Sequence, residues 1–342
     1  MADDRMKLPP ERDFGFYQRR KHDKWRAVEP PVLEVPVVDT HAHIHMLPDP
    51  AWELARCAAN GVAAVCEICD PSEDSLSPAE DIARWQQEYA AYLAQAFPEG
   101  LDESSVSDGS SMSGGAGTSA YASVPDVKMA AGVHPHNASR YSEATEQKLL
   151  AWLEAPQVVA LGEIGLDYHY DFSPRDIQRH VFRRQIELAK QLGLPVALHL
   201  RGGDDSQADN AHAEAFAILQ EVGFPPAGTL LHCCALPPEE LRPWIDADCY
   251  IAYGGALTFK NGEAAREGAR IVPANRLLLE TDSPYMAPEP MRGTACTPAH
   301  VVFTAQQLAD VRGCTTAESR RQLMEQLAEN ARAFFGARVA LQ

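Results

Sequence analysis

Asp39, His41 and His43 stand two residues apart at the end of an apolar run, Val37-Val38-Asp39-Thr40-His41-Ala42-His43. In a β-strand, residues two apart point to the same side, so the three would project together from one strand end. Two imidazoles on one face make half of a metal site. Further donors close later apolar runs: Glu163 in Gly162-Glu163-Ile164-Gly165-Leu166-Asp167, then His199, His232, and Asp282 in Glu280-Thr281-Asp282-Ser283-Pro284. A lone histidine is more often a packing residue than a ligand. Six donor-type residues, each at a strand terminus, are hard to place by chance. They suffice for two divalent cations with a bridging carboxylate and water in the open positions.

The elements that must position them are eight short apolar runs: VPVVDTHAHI, VAAVCEIC, VKMAAGVHP, VVALGEIGLD, PVALHLR, GTLLHCC, YIAYGG and LLLETDSP. The seventh is the weakest. Pieces between them, such as 50–60, 177–192, 212–222 and 238–246, carry apolar residues at helical spacing. Continuous rather than alternating strands, separated by helices, indicate a parallel sheet covered on both faces. Eight such units predict a (β/α)8 TIM barrel, whose active site lies at the C-terminal ends of the strands. The donors above fall at those ends.

Residues 1–34 are rich in charge and Pro and are read as an N-terminal extension, a solvated arm packed on the barrel; the hydrolase domain then runs over 35–338. Residues 101–126 are dense in Ser and Gly and cannot bury enough surface to offset their ordering entropy, so they read as a flexible insertion between the second and third strands. The chain has 342 residues and a net charge of −18. That charge argues against broad attraction to membranes or long duplexes, although bound cations would reverse the field inside a pocket. No apolar run approaches the roughly 20 residues of a membrane span, and the charged start lacks a secretory pattern. The expectation is a soluble, cytoplasmic protein with eight free cysteines. Cys66-x-x-Cys69 lies in a strand, where a spacing of three sends the side chains to opposite faces. The oligomeric state is open, a monomer being the default.

The motifs VVDTHAHI, GVHPH, GEIGLDYH, VFRRQIELAKQLGLPVALH, the histidine in LLHCC, and LLLETDSPYMAP followed by Arg292-Gly293 together resemble the TatD family of metal-dependent deoxyribonucleases, within the amidohydrolase-like barrels. The resemblance runs from about Val37 to Phe335, the Ser/Gly stretch excluded. It implies that His41, His43, Glu163 and Asp282 hold one metal and that Glu163, His199 and His232 hold a second, with Glu163 bridging and Asp282 serving as base for the attacking water. Imidazole-rich ligation suits Zn or Mn better than Mg. The resemblance further implies a DNA or other phosphodiester substrate. His134, His136, Arg201 and Arg292 are candidate phosphate contacts, with a structural hydrogen bond or salt bridge as the competing role for each. Asp39 reads as a partner behind the ligands rather than a ligand. His45, Gly202-Gly203 and Cys234-Ala235 depart from the family pattern at positions that would rim the pocket and so bear on substrate preference.

Two other readings stand beside the nuclease. The same activated water could attack a carbonyl, as in a hydrolase of ester, amide or aminoacyl bonds of the D-aminoacyl-tRNA deacylase kind. A non-catalytic barrel that binds through its arm or insertion would have lost ligands, and none is lost here. With an acidic surface, short or single-stranded ends are the expected substrates.

Overall fold

The computed structural model describes residues 13–73, 77–96, 125–203 and 210–336. Residues 1–12 of the expected extension and 101–124 of the expected insertion lie outside the described residues. Eight parallel strands make up one sheet: β3 (Val37–Ala42), β4 (Val62–Cys69), β5 (Asp126–Ala131), β6 (Val158–Asp167), β7 (Val196–Arg201), β8 (Thr229–Leu231), β9 (Tyr250–Tyr253) and β10 (Leu277–Leu279). Each pairs with its neighbour in chain order. The sheet closes on itself where Ala42 bridges Ser283. There the Asp282 N–H donates to the His41 carbonyl at 2.9 Å and the His43 N–H to the Ser283 carbonyl at 2.8 Å. The chain therefore folds as a (β/α)8 barrel.

Around it lie α1 (Pro50–Ala59), α2 (Pro78–Ala96), α3 (Glu143–Leu153), α4 (Arg175–Leu192), α5 (Ala211–Val222), α6 (Pro238–Asp246), α7 (Glu263–Ile271), α8 (Val301–Val311) and α9 (Ala317–Phe335). The helical segments read from apolar spacing agree with α1, α4, α5 and α6 to within two residues at either end. Local chemistry starts several of them. The Asp49 carboxylate accepts from Trp52 N–H at 3.0 Å ahead of α1, and the Ser142 hydroxyl from Thr145 N–H at 3.2 Å ahead of α3. Such caps contribute about 1 kcal/mol each by satisfying otherwise orphaned donors.

Burial on both faces explains why the strands read as unbroken apolar runs; every residue of β6 is buried. An inner layer takes residues from every strand, among them Val38, Cys66, Ala130, Ala160, Ala197, Leu230, Ala252 and Leu278, and Phe334 and Phe335 of α9 pack on it. The outer layer joins strands to helices and includes Cys69, Leu161, Ile164 and Phe182. Cys66 and Cys69 thus fall in different layers, and all eight cysteines are free.

The described part of the extension is an antiparallel hairpin, β1 (Phe16–Arg20) with β2 (Lys24–Val28). Sequence reading expected a solvated arm packed on the barrel and placed no strands in it. The hairpin docks through Phe14, stacked on Trp52 at 4.8 Å, and Phe16, edge-on to Phe303 at 4.9 Å. Arg56 of α1 donates to the Gly15 carbonyl at 2.7 Å. None of the helices is long and apolar enough, among the described residues, to cross a membrane.

Candidate metal centre

Glu163 sits at the middle of the barrel's C-terminal rim. Its Oε2 lies 3.6 Å from His41 Nε2, 3.1 Å from His199 Nδ1 and 3.2 Å from His232 Nε2. Its Oε1 lies 3.4 Å from His43 Nε2 and 3.8 Å from His134 Nε2. Asp282 Oδ1 faces His43 Nε2 at 3.6 Å and His41 Nε2 at 3.9 Å. Glu163 belongs to two donor groups, one with His41 and His43 and one with His199 and His232, and His41, His232 and Asp282 form a third; within each group the donor atoms lie within 4.8 Å of one another.

Two backbone devices aim these side chains. The β3–β4 register shifts between Asp39 and Ala42, and the β6–β7 register shifts between Leu161 and Ile164. Such irregularities change which face a strand presents and re-aim side chains. Strict alternation from Asp39 to His43 is therefore not what turns the histidines inward. Asp39 points elsewhere: its carboxylate accepts from Thr281 N–H at 2.9 Å, Thr281 O–H at 2.6 Å and His41 N–H at 3.2 Å. It ties the His41 segment to the Asp282 segment without facing an imidazole nitrogen. Asp282 itself takes a left-handed backbone, φ 56°, a conformation Asp tolerates better than most side chains.

Each outlying imidazole is oriented by a buried acid. Asp167 Oδ2 lies 3.1 Å from His199 Nε2 and 2.8 Å from His136 Nε2. Glu280 Oε1 lies 3.6 Å from His232 Nδ1 and accepts from Cys233 N–H at 2.5 Å. Glu67 Oε2 accepts from Ile44 N–H at 2.6 Å, and Glu67 pairs closely with His45 Nδ1, pinning the loop after β3. Sequence reading expected loop shaping or substrate contact from Asp167 and assigned no role to Glu280 or Glu67; Asp167 does shape the loop, accepting from His169 N–H at 3.0 Å and Tyr170 N–H at 2.9 Å. For Asp167 a signal existed, since it stands four residues from Glu163 within β6, an even spacing that shares a strand face.

The electrostatics follow from this crowding. Burial by itself would raise the Glu163 carboxyl, yet His134, His41 and hydrogen bonds from His199 and His232 hold it well below the usual carboxylate range. Burial, aided by His232 stacked 4.0 Å away, pushes His41 well below the usual imidazole range. Neutral imidazole is the form that binds a metal. Burial works against a proton on His232, but Glu280 and Glu163 outweigh it and raise that imidazole well above its usual range. His199 is raised in the same way by Asp167 and Glu163 against its burial.

The donor set fits a divalent cation. His41 Nε2, the nitrogen that faces Glu163 and Asp282, is buried with no hydrogen-bond partner, an arrangement that costs about 1–3 kcal/mol when left unrelieved. Ligands about 2.1 Å from a tetrahedral ion stand roughly 3.4 Å apart, close to the 3.1–3.9 Å separations of the Glu163 and Asp282 oxygens from His41, His43, His199 and His232.

The candidate phosphate contacts divide. His134 joins the cluster, and its Nδ1 accepts from His136 N–H at 3.1 Å. His136 sits one step out, on Asp167. The Arg201 guanidinium lies 4.8 Å over the Tyr170 ring and that of Arg292 3.6 Å over the Phe259 ring. Both arginines are exposed.

A closed parallel barrel with this His and carboxylate cluster at the C-terminal rim defines a barrel hydrolase of the metal-dependent class. A family model described as TatD related DNase matches residues 38–336, and the chain belongs to that family. It is a metal-dependent hydrolase of the TatD DNase type. Among relatives, the chain is 32% identical over 267 residues to the 3'-5' ssDNA/RNA exonuclease TatD of Enterobacter lignolyticus, covering 74% of this chain and 95% of that protein. It is 38% identical over 196 residues to the metal-dependent hydrolase YabD of Bacillus subtilis, covering 56% of this chain and 72% of the relative. The crystal structure of the TatD homologue YjjV of Escherichia coli superposes with a TM-score of 0.64 at 23% identity, over 87% of this chain and 97% of the other. The last likeness bears on the fold alone.

Proposed function

We propose that the chain cleaves phosphodiester bonds in single-stranded DNA or at short ends, with two divalent cations held by six side chains. His41, His43, Glu163 and Asp282 would hold one cation, and Glu163, His199 and His232 the other. Bound cations supply Lewis acidity and bring the pKa of water toward neutrality. The imidazole-rich set favours Zn or Mn over Mg.

The chain's own groups do the rest. Glu163, kept ionised by the imidazoles around it, bridges the two halves of the site. Asp282 orients the attacking water and accepts its proton. Asp167 and Glu280 fix the rings of His199 and His232 by taking up the nitrogens turned away from Glu163. His134, His136, Arg201 and Arg292 hold the phosphate groups. Residues 35–338 act as one hydrolase domain, with 1–34 appended and 101–126 inserted. Eight free thiols suit a reducing compartment, and the cytoplasm is the proposed one.

The observation that carries this reading is the convergence of donors from five strand ends, that of Glu163 among them, on one centre. The test is metal analysis of purified protein, followed by assays on single-stranded and duplex oligonucleotides, aminoacyl-tRNA and aryl esters after chelation and add-back. Oligonucleotide cleavage that chelation abolishes and Zn or Mn restores is expected. Cleavage that survives complete metal removal, or hydrolysis confined to carbonyl esters, refutes it.

A further inference from the structure

The loop that leaves β6 carries two aromatic rings that the core does not use. Tyr170 is 46% and Phe172 67% exposed. They stack on each other with ring centroids 5.2 Å apart and planes 11° from parallel. Large exposed rings forfeit the stabilisation that burial would bring, so a pair held in register at the rim of a reactive site calls for a ligand.

The loop is held in that shape. Asp167 accepts from His169 N–H at 3.0 Å and Tyr170 N–H at 2.9 Å. Arg175 donates to the Asp171 carboxylate at 2.7 Å and to the Tyr168 carbonyl at 3.2 Å. Buried Ser173 donates to the His136 carbonyl at 2.8 Å and accepts from Ser139 N–H at 3.0 Å. The pair is also tied to the cluster. His136 meets Tyr170 edge-on at 5.4 Å and Phe172 edge-on at 4.8 Å, and its ring centroid lies 5.9 Å from that of His199. The same Asp167 that fixes the loop orients His199 and His136. Arg201, over the Tyr170 ring, places positive charge beside the apolar surface.

We propose that Tyr170 and Phe172 form a stacking platform for an unpaired nucleobase next to the bond being cleaved, with Arg201 meeting the backbone of that nucleotide. This rests on the nucleic-acid reading above. A stacked pair of rings whose more exposed member, Phe172, offers an outer face, with a guanidinium over Tyr170, matches a base and its phosphate, and stacking of this kind tolerates any base because each has a π-face. A paired base inside a duplex has both faces covered by its neighbours, so the platform selects frayed or single-stranded ends.

Two oligonucleotide sets test it, one with normal bases and one with tetrahydrofuran residues replacing the bases at the end attacked. Removing a base-stacking ring weakens nucleic-acid binding roughly 5- to 150-fold. Wild-type protein should therefore prefer the normal end in kcat/KM by a factor in that range. In Y170A/F172A the preference should collapse toward one, whereas Y170F and F172Y should keep it. A terminal 2-aminopurine should be quenched on binding to wild type but not to the double variant. Circular dichroism and melting of the double variant like those of wild type establish that it folds. An unchanged preference and unchanged quenching in the folded double variant overturn the platform alone. Wild-type protein that neither binds nor cleaves either set overturns the nuclease reading and the platform with it.

Discussion

Gly165 offers a sharp test of how the barrel wall sets the site. It pairs with His199 in the β6–β7 ladder, and a Cβ built on it would lie 1.8 Å from the His199 carbonyl oxygen and 2.8 Å from its carbon. Ordinary contact would require the β7 backbone at His199 to retreat by roughly 1.5 Å. Overpacking of this kind costs about 1–3 kcal/mol, more when the obstacle is backbone, so Gly165→Ala should lose about 3 kcal/mol or more. Gly313→Ala is the control. Gly313 has φ +72° with nothing within 4 Å of where a Cβ would stand, leaving only the left-handed conformational cost of about 1–2 kcal/mol. At about 2 °C per kcal/mol for a chain of this size, melting should fall by about 6 °C or more in Gly165→Ala and about 2–4 °C in the control. Because the displaced atoms belong to His199, the first variant should also lose most of its bound metal while the second keeps it. Equal melting losses, or full metal content in Gly165→Ala, would refute the argument that this glycine is required by the position of His199.

Glu163→Gln removes the one carboxylate shared by both donor groups; a unit charge at 4 Å is worth about 4 kcal/mol at an effective dielectric of 20, so metal affinity should drop by at least 100-fold, and titration calorimetry that finds wild-type affinity would exclude a bridging role. His300 lies outside the centre, but it is not inert. Burial, with Arg56 nearby, holds its imidazole well below the usual range, and its Nδ1 accepts from Thr297 N–H at 2.9 Å. The unfolded chain therefore takes up a proton at this position below about pH 6.5 that the folded chain refuses, so stability is full above that pH and falls below it by up to about 1.4 kcal/mol per pH unit. His300→Asn keeps an acceptor without the titration; its melting temperature should fall less than that of wild type between pH 6.5 and 5.5, and equal falls would remove His300 from the acid response.

Much of this was written plainly in the chain. Buried parallel strands must be continuous apolar runs, and Val158–Asp167 is one from end to end. Even Tyr250–Tyr253, the faintest of the eight, is fully buried. The clustering of His41, His43, Glu163, His199, His232 and Asp282 was legible because imidazoles and carboxylates are rare at the ends of apolar strands. What could not be read depends on register and on partners distant in sequence. The shifts within β3 and β6 that turn His41 and Glu163 inward leave no mark in residue type. The bond from Asp39 to Thr281 spans 242 positions. The hairpin at Phe16–Val28 was missed because charged residues hide its two strands, and its stability comes from Phe14 and Phe16 finding Trp52 and Phe303.

The seam that closes the barrel joins the first strand's His41 and His43 to Asp282 and Ser283. Bringing such remote segments together is slow, because loop closure must precede the contacts that reward it. A chain still emerging from the ribosome therefore holds some of the donors but never the whole ring until its last strand arrives. Hydrolytic power would switch on with the final stitch of folding, and a half-made copy could not cut.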